Sequence, residues 1–115
     1  MPVALAKDIR LDWEVEEESP RAISKTEKQN LFMIAKEAIN NAIKYSECKA
    51  IRVSLRQHRH SISLVVQDDG KGFDVSVAAA GNGLKNIRYR AQQIRFTANI
   101  LSFPGGGTTI EVMKG

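Results

Sequence analysis

Cysteine, aromatic residues and long apolar runs are all scarce in this sequence of 115 residues. The single cysteine, Cys48, cannot form an internal disulfide, and no cluster of Cys or His surrounds it to suggest a metal site. This cysteine usage fits a reducing, cytosolic setting. No apolar run approaches the roughly 20 residues that span a bilayer, and the first seven residues lack the pattern of a signal peptide. We therefore expect a soluble protein.

The scarcity of aromatic residues also bears on the positive charge of the chain. Aromatic residues make up 6% of the sequence, and the formal net charge is +4. A binder of single-stranded nucleic acid interleaves aromatic residues with Lys and Arg, and the basic residues here are spread along the chain. The densest basic stretches, 56–60 and 85–95, are predicted to be a hairpin end and half of an amphipathic helix. An anionic small ligand or an acidic protein surface explains the charge equally well, and we expect no nucleic-acid partner.

Beyond these absences, the chain shows an orderly succession of strand and helix patterns. The predicted elements are a strand at 8–15, a helix from Ser24 to about Ser46, strands at 50–57 and 61–68, a helix at 84–94, and strands at 97–103 and 108–113. Adjacent strand pairs separated by long helices indicate an α+β fold, a two-layer sandwich with helices on one face of a mixed, mainly antiparallel sheet. No linker or repeat divides the chain, so residues 1–115 are expected to form a single domain.

The connections have patterns of their own. Residues 16–21 are acidic and end in a Ser-Pro pair, which predicts a connecting segment. Residues 70–82 are rich in Gly, Ala, Ser and Asp and predict a mobile loop. Two capping boxes precede the long helix, one at Ser24 with Glu27 and the other at Thr26 with Gln29; in each, the first side chain bonds the backbone N–H three residues later.

A narrow polar stripe runs along the long predicted helix. At about 100° per residue, Glu37, Asn41 and Lys44 lie close together on the helix surface, roughly opposite the apolar face. An exposed face would explain such a stripe. Two adjacent asparagines in mid-helix argue against that explanation, because asparagine is a poor helix former that prefers caps and turns. The helix alone leaves both interpretations open.

The predicted strand at 61–68 ends on a carboxylate that faces the core. Side chains alternate across a strand, so Asp68 shares a face with Ile62, Leu64 and Val66. A carboxylate in this position needs hydrogen-bond donors to offset its desolvation, and backbone can approach a ligand closely at Gly70 and Gly72. Asp68 would be suited to accept a hydrogen bond from an exocyclic amine whose flat ring lies against glycine backbone. The alternative is an ordinary Asp-Gly turn.

Two further glycine segments follow. Gly81-Asn82-Gly83-Leu84 opens the second helix, where free backbone N–H groups and the helix dipole favour a phosphate. Lys85 and Arg88 lie in the first turns, where the helix dipole favours acidic residues instead. An anion bound nearby would explain these two basic residues. The other segment, Pro104 to Thr109, is by itself explained as a hairpin turn.

Together and in this order, the four segments resemble the ATP-binding domain of the family that includes sensor histidine kinases, DNA gyrase, MutL and the large heat-shock chaperone. The resemblance covers residues 11–113. Its motifs are Glu37-Ala38-Ile39-Asn40-Asn41-Ala42-Ile43-Lys44-Tyr45, Asp68-Asp69-Gly70-Lys71-Gly72, Gly81-Asn82-Gly83-Leu84 and Gly105-Gly106-Gly107-Thr108. It implies the Bergerat ATP-binding fold, with ATP and Mg²⁺ as ligands.

Within the family, the chain is most similar to histidine kinases that pair with response regulators of the NarL type. Glutamate rather than asparagine stands four residues before Asn41, and the lid between Phe73 and Gly81 is very short. The run from Gly83 to Ala91 is similar to the Gly-Leu-x-Asn-Met-x-x-Arg-Ala helix of that subgroup. Two positions depart from the pattern: Arg95-Phe96 replaces a usual Gly-Gly pair, and Tyr45 stands where His is common.

The resemblance implies a role for residues in each segment. Asn41 would coordinate Mg²⁺, Glu37 would orient a water in the shell of the metal, and Lys44 would contact phosphate. Asp68 would bind the adenine amino group, with Thr108 holding a water beside it. The other ATP-binding residues that the resemblance implies are Tyr45, Gly70, Gly72, Phe73, Gly81, Gly83 and Leu84.

A histidine kinase also needs a phosphoacceptor histidine on a dimerisation helix. The histidines here are His58 and His60, both at the predicted hairpin end and neither followed by an acid. Exposed polar turn residues explain them best, with a His-x-His metal site as the alternative. The resemblance therefore implies a catalytic domain that phosphorylates a histidine on a separate dimerisation domain, with a NarL-type regulator as an indirect partner. We expect this domain to be cytoplasmic and free of membrane contact, whether or not its parent protein is membrane-anchored.

Two other functions remain open from the sequence. A small ATP-binding relative that phosphorylates serine on an anti-sigma antagonist would also lack an acceptor helix, but the run from Gly83 to Ala91 favours the histidine kinase. A nucleotide-independent interaction module or nucleic-acid binder would require all four motifs to be coincidental.

Overall fold

The computed structural model describes residues 3–5, 9–18, 23–45, 49–58, 61–72 and 82–114. These residues form two helices and six strands: β1 (Val3–Leu5), β2 (Ile9–Glu18), α1 (Lys25–Tyr45), β3 (Ala50–His58), β4 (Ser61–Asp68), α2 (Asn82–Gln93), β5 (Thr97–Ser102) and β6 (Thr108–Lys114). Neither helix among these residues has the length and apolar character that crossing a membrane requires.

The strands form one sheet in the order β1-β2-β3-β4-β6-β5. Strands β2 and β3 pair in parallel, and the other neighbours pair antiparallel. The two helices pack on each other, and each packs on the sheet. The predicted α+β sandwich with a mixed, mainly antiparallel sheet is therefore confirmed.

Three differences from the sequence prediction exceed one residue. Strand β1 was not predicted, because three residues are too short to show a periodic pattern. Strand β2 continues through Glu18, whereas residues 16–21 were predicted to connect; the backbone there pairs with β3 as far as His58, regardless of the acidic side chains. Helix α2 begins at Asn82, so Gly83 lies in its first turn rather than before it.

The core lies between the helices and one face of the sheet. The apolar residues of α1 at three- and four-residue spacing are buried, as the pattern predicts. The buried core residues are Ile9, Leu31, Ile34, Ala38, Ala42, Ile51, Ile62, Leu64, Val66, Ile87, Ala91, Ile94, Phe96, Ile100, Ile110 and Val112. This core holds the end of β4 and the start of β6 in place beside each other.

Helix α1 begins at the first of the two predicted capping boxes. The Ser24 hydroxyl accepts a hydrogen bond from the backbone N–H of Glu27 at 3.1 Å, and the Glu27 carboxylate accepts one from the Ser24 N–H at 3.0 Å. Thr26 already lies inside the helix, so the second box is not used. Glu27 is buried and also pairs with Lys114 at 3.5 Å. The cap therefore ties the start of α1 to the end of β6.

Helix α2 ends in a Schellman motif with arginine in the glycine position. Arg95 has a φ of 61°, in the left-handed region. Its N–H donates to the Gln92 carbonyl at 3.1 Å, and the Phe96 N–H donates to the Ala91 carbonyl at 2.9 Å. The side chains of Ala91 and Phe96 are both buried, which supplies the apolar contact that accompanies this motif. The turn after α2 is thus formed by Arg95-Phe96, at the position where the resemblance leads us to expect a Gly-Gly pair.

We expect Arg95→Gly to stabilise the domain. Glycine avoids the roughly 1–2 kcal/mol that a side chain costs in the left-handed region. It loses more backbone entropy on folding than arginine does. The expected net gain in unfolding free energy is therefore about 0.5–1 kcal/mol, measured by urea denaturation. Arg95→Ala is the control, because it removes the charge and keeps the Cβ. An equal gain in both variants would show that the charge, not the backbone, causes the strain.

Candidate functional site

A row of polar side chains crosses three strands at one end of the core. Asp68 on β4 is paired with Thr108 on β6, and Thr108 is paired with Ser102 on β5. The next row on the same face, which joins Val66, Ile110 and Ile100, is apolar and buried. Because side chains alternate across a strand, the polar row continues the core-facing surface. Asp68 therefore lies at the edge of the core, as the sequence predicts.

The side chains of this row are hydrogen-bonded. One oxygen of the Asp68 carboxylate, Oδ1, accepts from the Gly70 N–H at 2.9 Å. Thr108 and Ser102 are buried, with their hydroxyl oxygens 2.9 Å apart, and the Ser102 hydroxyl donates to the Gly107 carbonyl at 3.0 Å. The sequence analysis did not single out Ser102. The signal was available in β5, where alternation places Ser102 on the same face as Ile100.

Two glycine loops pack against each other over this row. Gly72 has a φ of 64°, and a Cβ there would overlap the Phe103 carbonyl and lie 2.9 Å from the Gly107 carbonyl. Gly107 has a φ of 72°, and a Cβ there would overlap the Asp68 carbonyl. The Gly105 N–H also donates to the Lys71 carbonyl. The loop after β4 and the turn before β6 therefore require glycine for close backbone contact as well as for conformation.

The neighbouring acid, Asp69, has a different role from Asp68. Its side chain is exposed, and its Oδ1 accepts hydrogen bonds from the N–H groups of Ala50 and Lys49, at 3.0 and 2.8 Å. These bonds, that of Ala50 foremost, hold the pKa of the Asp69 carboxyl below its usual value. Asp69 thus ties the end of β4 to the start of β3. Sequence reasoning did not assign it this role.

The polar stripe of α1 lies outside the core. Glu37 and Asn41 are half-buried, and Lys44 is exposed in the last turn, while the opposite face of the helix is buried. Helix α1 packs on α2, β4 and β3. Tyr45 is the last residue of α1, but its side chain lies outside the described residues.

The start of α2 carries the second glycine segment. Gly83 lies in the first turn, which has no acidic residue, and Leu84 is half-buried against the core. Lys85 and Arg88 are exposed. The predicted site residues Phe73 and Gly81 lie outside the described residues. Of the predicted set, the structure brings Asp68, Gly70, Gly72 and Thr108 into one cluster of contacts and places the others on α1 and α2.

The surface depressions among the described residues do not coincide with this cluster. One of about 370 Å³ lies mainly on the outer face of the sheet, against Asp12, Arg52 and Gln67, and reaches Asp68 at its edge. Another of about 550 Å³ lies between the first half of α1 and Arg90 of α2. Residues 73–81, which the resemblance places beside a nucleotide, lie outside the described part of the chain.

Two solved structures share this fold. The ATP binding domain of PrrB from Mycobacterium tuberculosis superimposes with a TM-score of 0.67 at 24% identity, over 89% of this chain and 77% of that one. The histidine kinase domain from Erythrobacter litoralis EL346 gives a TM-score of 0.66 at 18% identity, over 90% of this chain and 50% of that one. At these identities the likeness establishes the fold alone, a two-layer sandwich of helices on a mixed sheet.

The family described as "Histidine kinase-, DNA gyrase B-, and HSP90-like ATPase" matches residues 26–114, and the chain belongs to it. Among its relatives is the sensor protein VraS of Staphylococcus haemolyticus, 40% identical over 97% of this chain and 30% of VraS. The sensor histidine kinase LiaS of Bacillus subtilis is 35% identical over 90% of this chain and 28% of LiaS. The chain thus spans less than a third of the length of these relatives.

The contact between the two glycine loops gives a test of the site's architecture. We expect Gly107→Ala to lower the unfolding free energy by at least about 2 kcal/mol, because a left-handed alanine costs roughly 1–2 kcal/mol and its Cβ overlaps the Asp68 carbonyl. Gly105→Ala is the matched control. Gly105 also has a positive φ, of 81°, but open space around its Cβ position.

The control variant should therefore lose only the conformational part, about 1 kcal/mol. Both unfolding free energies are measured by urea denaturation at neutral pH. Equal losses in the two variants would show that the loops do not depend on the close contact with Asp68.

Proposed function

We propose that this chain is the ATP-binding catalytic domain of a sensor histidine kinase in a bacterial two-component system. It binds Mg-ATP in the cytoplasm and supplies the γ-phosphoryl group to a histidine on a separate dimerisation domain. The observation that carries the proposal is the paired Asp68 and Thr108 at the end of the core, under two glycine loops in backbone contact. Membership of the ATPase family supports ATP as the nucleotide.

The adenine base is recognised at the polar row. The carboxylate of Asp68 accepts a hydrogen bond from the exocyclic amino group. Its Oδ1 also accepts a hydrogen bond from the Gly70 N–H at 2.9 Å, which fixes the orientation of the carboxylate. Thr108 holds a water beside it, and Gly72 lets the loop backbone pack closely against the Phe103 and Gly107 carbonyls. An amine donor facing a fixed carboxylate favours adenine over a base that presents a carbonyl at the same position.

The phosphates are proposed to lie between α1 and the start of α2. Gly81 and Gly83 leave room at the helix N-terminus, where backbone N–H groups and the helix dipole attract an anion. Lys44 contacts phosphate from the last turn of α1. The absence of acidic residues from the first turn of α2 supports an anion there. Tyr45, Phe73 and Leu84 complete the proposed nucleotide contacts.

The donors on α1 fit a magnesium ion carried by the nucleotide. Mg²⁺ keeps several waters and takes few protein ligands when phosphates supply the rest. Among the described residues no group of three acidic, His or Cys side chains is arranged to hold a metal alone. Asn41 offers one amide oxygen, and Glu37, one turn earlier, orients a water. When bound, the ion neutralises charge on the β- and γ-phosphates.

The contribution of the chain to phosphoryl transfer is positioning. Lys44 and the start of α2 hold the triphosphate, and the acceptor imidazole nitrogen attacks the γ-phosphorus in line with the departing ADP oxygen. The acceptor belongs to the dimerisation domain, so this chain alone is expected to bind ATP and to turn it over slowly.

A finer proposal concerns the regulator. The glutamate at position 37, the short segment from Phe73 to Gly81 and the run from Gly83 to Ala91 support a kinase that pairs with a NarL-type response regulator. The replacement of the usual Gly-Gly pair does not weaken this, because Arg95 adopts the backbone conformation that a glycine there would have.

Calorimetric titration with a non-hydrolysable ATP analogue tests the function directly. We expect wild type to bind it and Asp68→Asn to lose at least about tenfold in affinity, because a charged acceptor for the amino group is lost, worth roughly 1.5–3 kcal/mol. Asn41→Ala should abolish most of the increase in affinity that Mg²⁺ produces.

Asp69→Asn is the matched control for this titration. It removes the adjacent charge but keeps an oxygen that accepts from Lys49 and Ala50. Its affinity should equal that of wild type. Failure of wild type to bind, or unchanged affinity in Asp68→Asn, would contradict the proposed site.

A further inference from the structure

Three large apolar side chains are exposed beside the core, on the side of the sheet that carries the helices. Trp13 and Val15 of β2 are 54% and 55% exposed, and Phe32 of α1 is 68% exposed. Side chains alternate across a strand, so Trp13 and Val15 share the face of the buried Ile9 and continue the core-facing surface. We call these three residues the apolar patch. Exposed apolar side chains that continue a core mark an interaction surface.

The two helices are centred away from this part of the sheet. Helix α1 packs on β4 and β3, and α2 packs on β5, whereas β2 lies beyond β3 in the order of the strands. A further helix packed about 8–10 Å from α1 would be displaced by two strand spacings of roughly 4.8 Å each. Its axis would therefore run over β2 and β1, across the apolar patch. Within the described part of the chain, neither helix takes that position.

The hand of the chain places Phe32 on the flank of α1 that faces β2. The Arg10 N–H donates to the Lys49 carbonyl at 2.9 Å, while the exposed Arg10 side chain points away from the helices. In a strand of L-residues, these directions set β3 to the left of β2 when the sheet is viewed from the helices with β2 running upward. Helix α1 then runs downward. Phe32 follows the buried Leu31 by about 100° of right-handed turn, which carries it to the β2 side.

The apolar patch has a basic border. Lys28 and Lys36 precede and follow Phe32 by four residues, so the three side chains form one stripe along α1. Both lysines are exposed, and neither is ion-paired within the described residues. A partner that covers Phe32 therefore needs apolar side chains with acidic ones beside them.

We propose that the apolar patch docks an amphipathic helix of a partner protein, with aliphatic residues on one face and acidic residues along one flank. The partner helix lies beside α1 and extends the helix layer over β2. Its aliphatic face covers the three patch residues, and its acidic flank pairs with Lys28 and Lys36.

The size of the patch favours a single helix over a second copy of this chain. Tryptophan and phenylalanine side chains bury about 150–250 Å² each, so the exposed parts of the three patch residues amount to roughly 300–400 Å². A stable dimer needs about 800 Å² from each partner. In a two-fold contact centred on Phe32, the lysines of the two copies would also lie close to each other and repel.

Trp13 supplies the measurement, because it is the only tryptophan of the chain and its emission moves to shorter wavelength when it is covered. The probe is the synthetic peptide acetyl-ELAELLEELAELLEELA-amide, which as a helix presents leucines on one face and glutamates along its flanks. The control peptide replaces every glutamate by lysine. We expect the acidic peptide to shift the emission in a saturable titration and the basic peptide to leave it unchanged.

Variants with matched changes of charge test the contact. Phe32→Glu should bind the acidic peptide at least about tenfold more weakly, because an apolar anchor is replaced by a like charge. Tyr89→Glu makes the same charge change at an aromatic of α2 that is 62% exposed, and it should bind as wild type does. Lys28→Glu combined with Lys36→Glu should reverse the preference, so that the basic peptide binds and the acidic one does not.

No shift with the acidic peptide, equal shifts with both peptides, or wild-type affinity in Phe32→Glu would each overturn the proposal. A shift with phosphatidylglycerol vesicles and none with the acidic peptide would overturn it in favour of a membrane surface. A dimer in sedimentation analysis that Phe32→Glu abolishes would overturn it in favour of a second copy. If Phe32→Glu does not fold, Phe32→Ala takes its place under the same criterion. Equal binding of the ATP analogue by the variant and wild type shows that the loss is confined to the patch.

Discussion

The site depends on one close backbone contact, between the loop that leaves β4 and the turn that enters β6. At Gly107 the chain passes so near the Asp68 carbonyl that no side chain fits, and at Gly72 the same is true of the Phe103 carbonyl. This contact holds the pair formed by Asp68 and Thr108 at the end of the core. Without it, the carboxylate would lie on a loose loop and would not be held at a fixed point on the sheet.

Two adjacent aspartates show how the alternation of a strand gives neighbouring side chains different partners. Asp68 faces the core side, where one of its oxygens is oriented by Gly70. Asp69 faces the other way and accepts from the backbone of Lys49 and Ala50. The second acid anchors β4 to β3, and the first can then present its carboxylate to a ligand. The same face continues onto β5, where Ser102 pairs with Thr108.

Much of the fold could be predicted from periodicity, because five strands and both helices are long enough to show it. The three residues of β1 are too few, and the acidic end of β2 is held by backbone pairing that side-chain patterns do not report. In the site, the alternation in β4 predicted the direction of Asp68. The partners of Ser102 and Asp69 lie on other strands, and their contacts depend on register, which one sequence does not contain. The left-handed Arg95 could not be predicted either, since arginine gives no local signal for that conformation.

Backbone amide chemical shifts on titration with Mg²⁺ and a non-hydrolysable ATP analogue test the central claim most directly. The account predicts the largest changes at Gly70, Gly72, Gly107 and Thr108, with further changes at the end of α1 and the start of α2. The outer face of the sheet offers the competing location, in the depression against Asp12, Arg52 and Gln67. Changes centred on those three residues, with the glycine loops unaffected, would contradict the account.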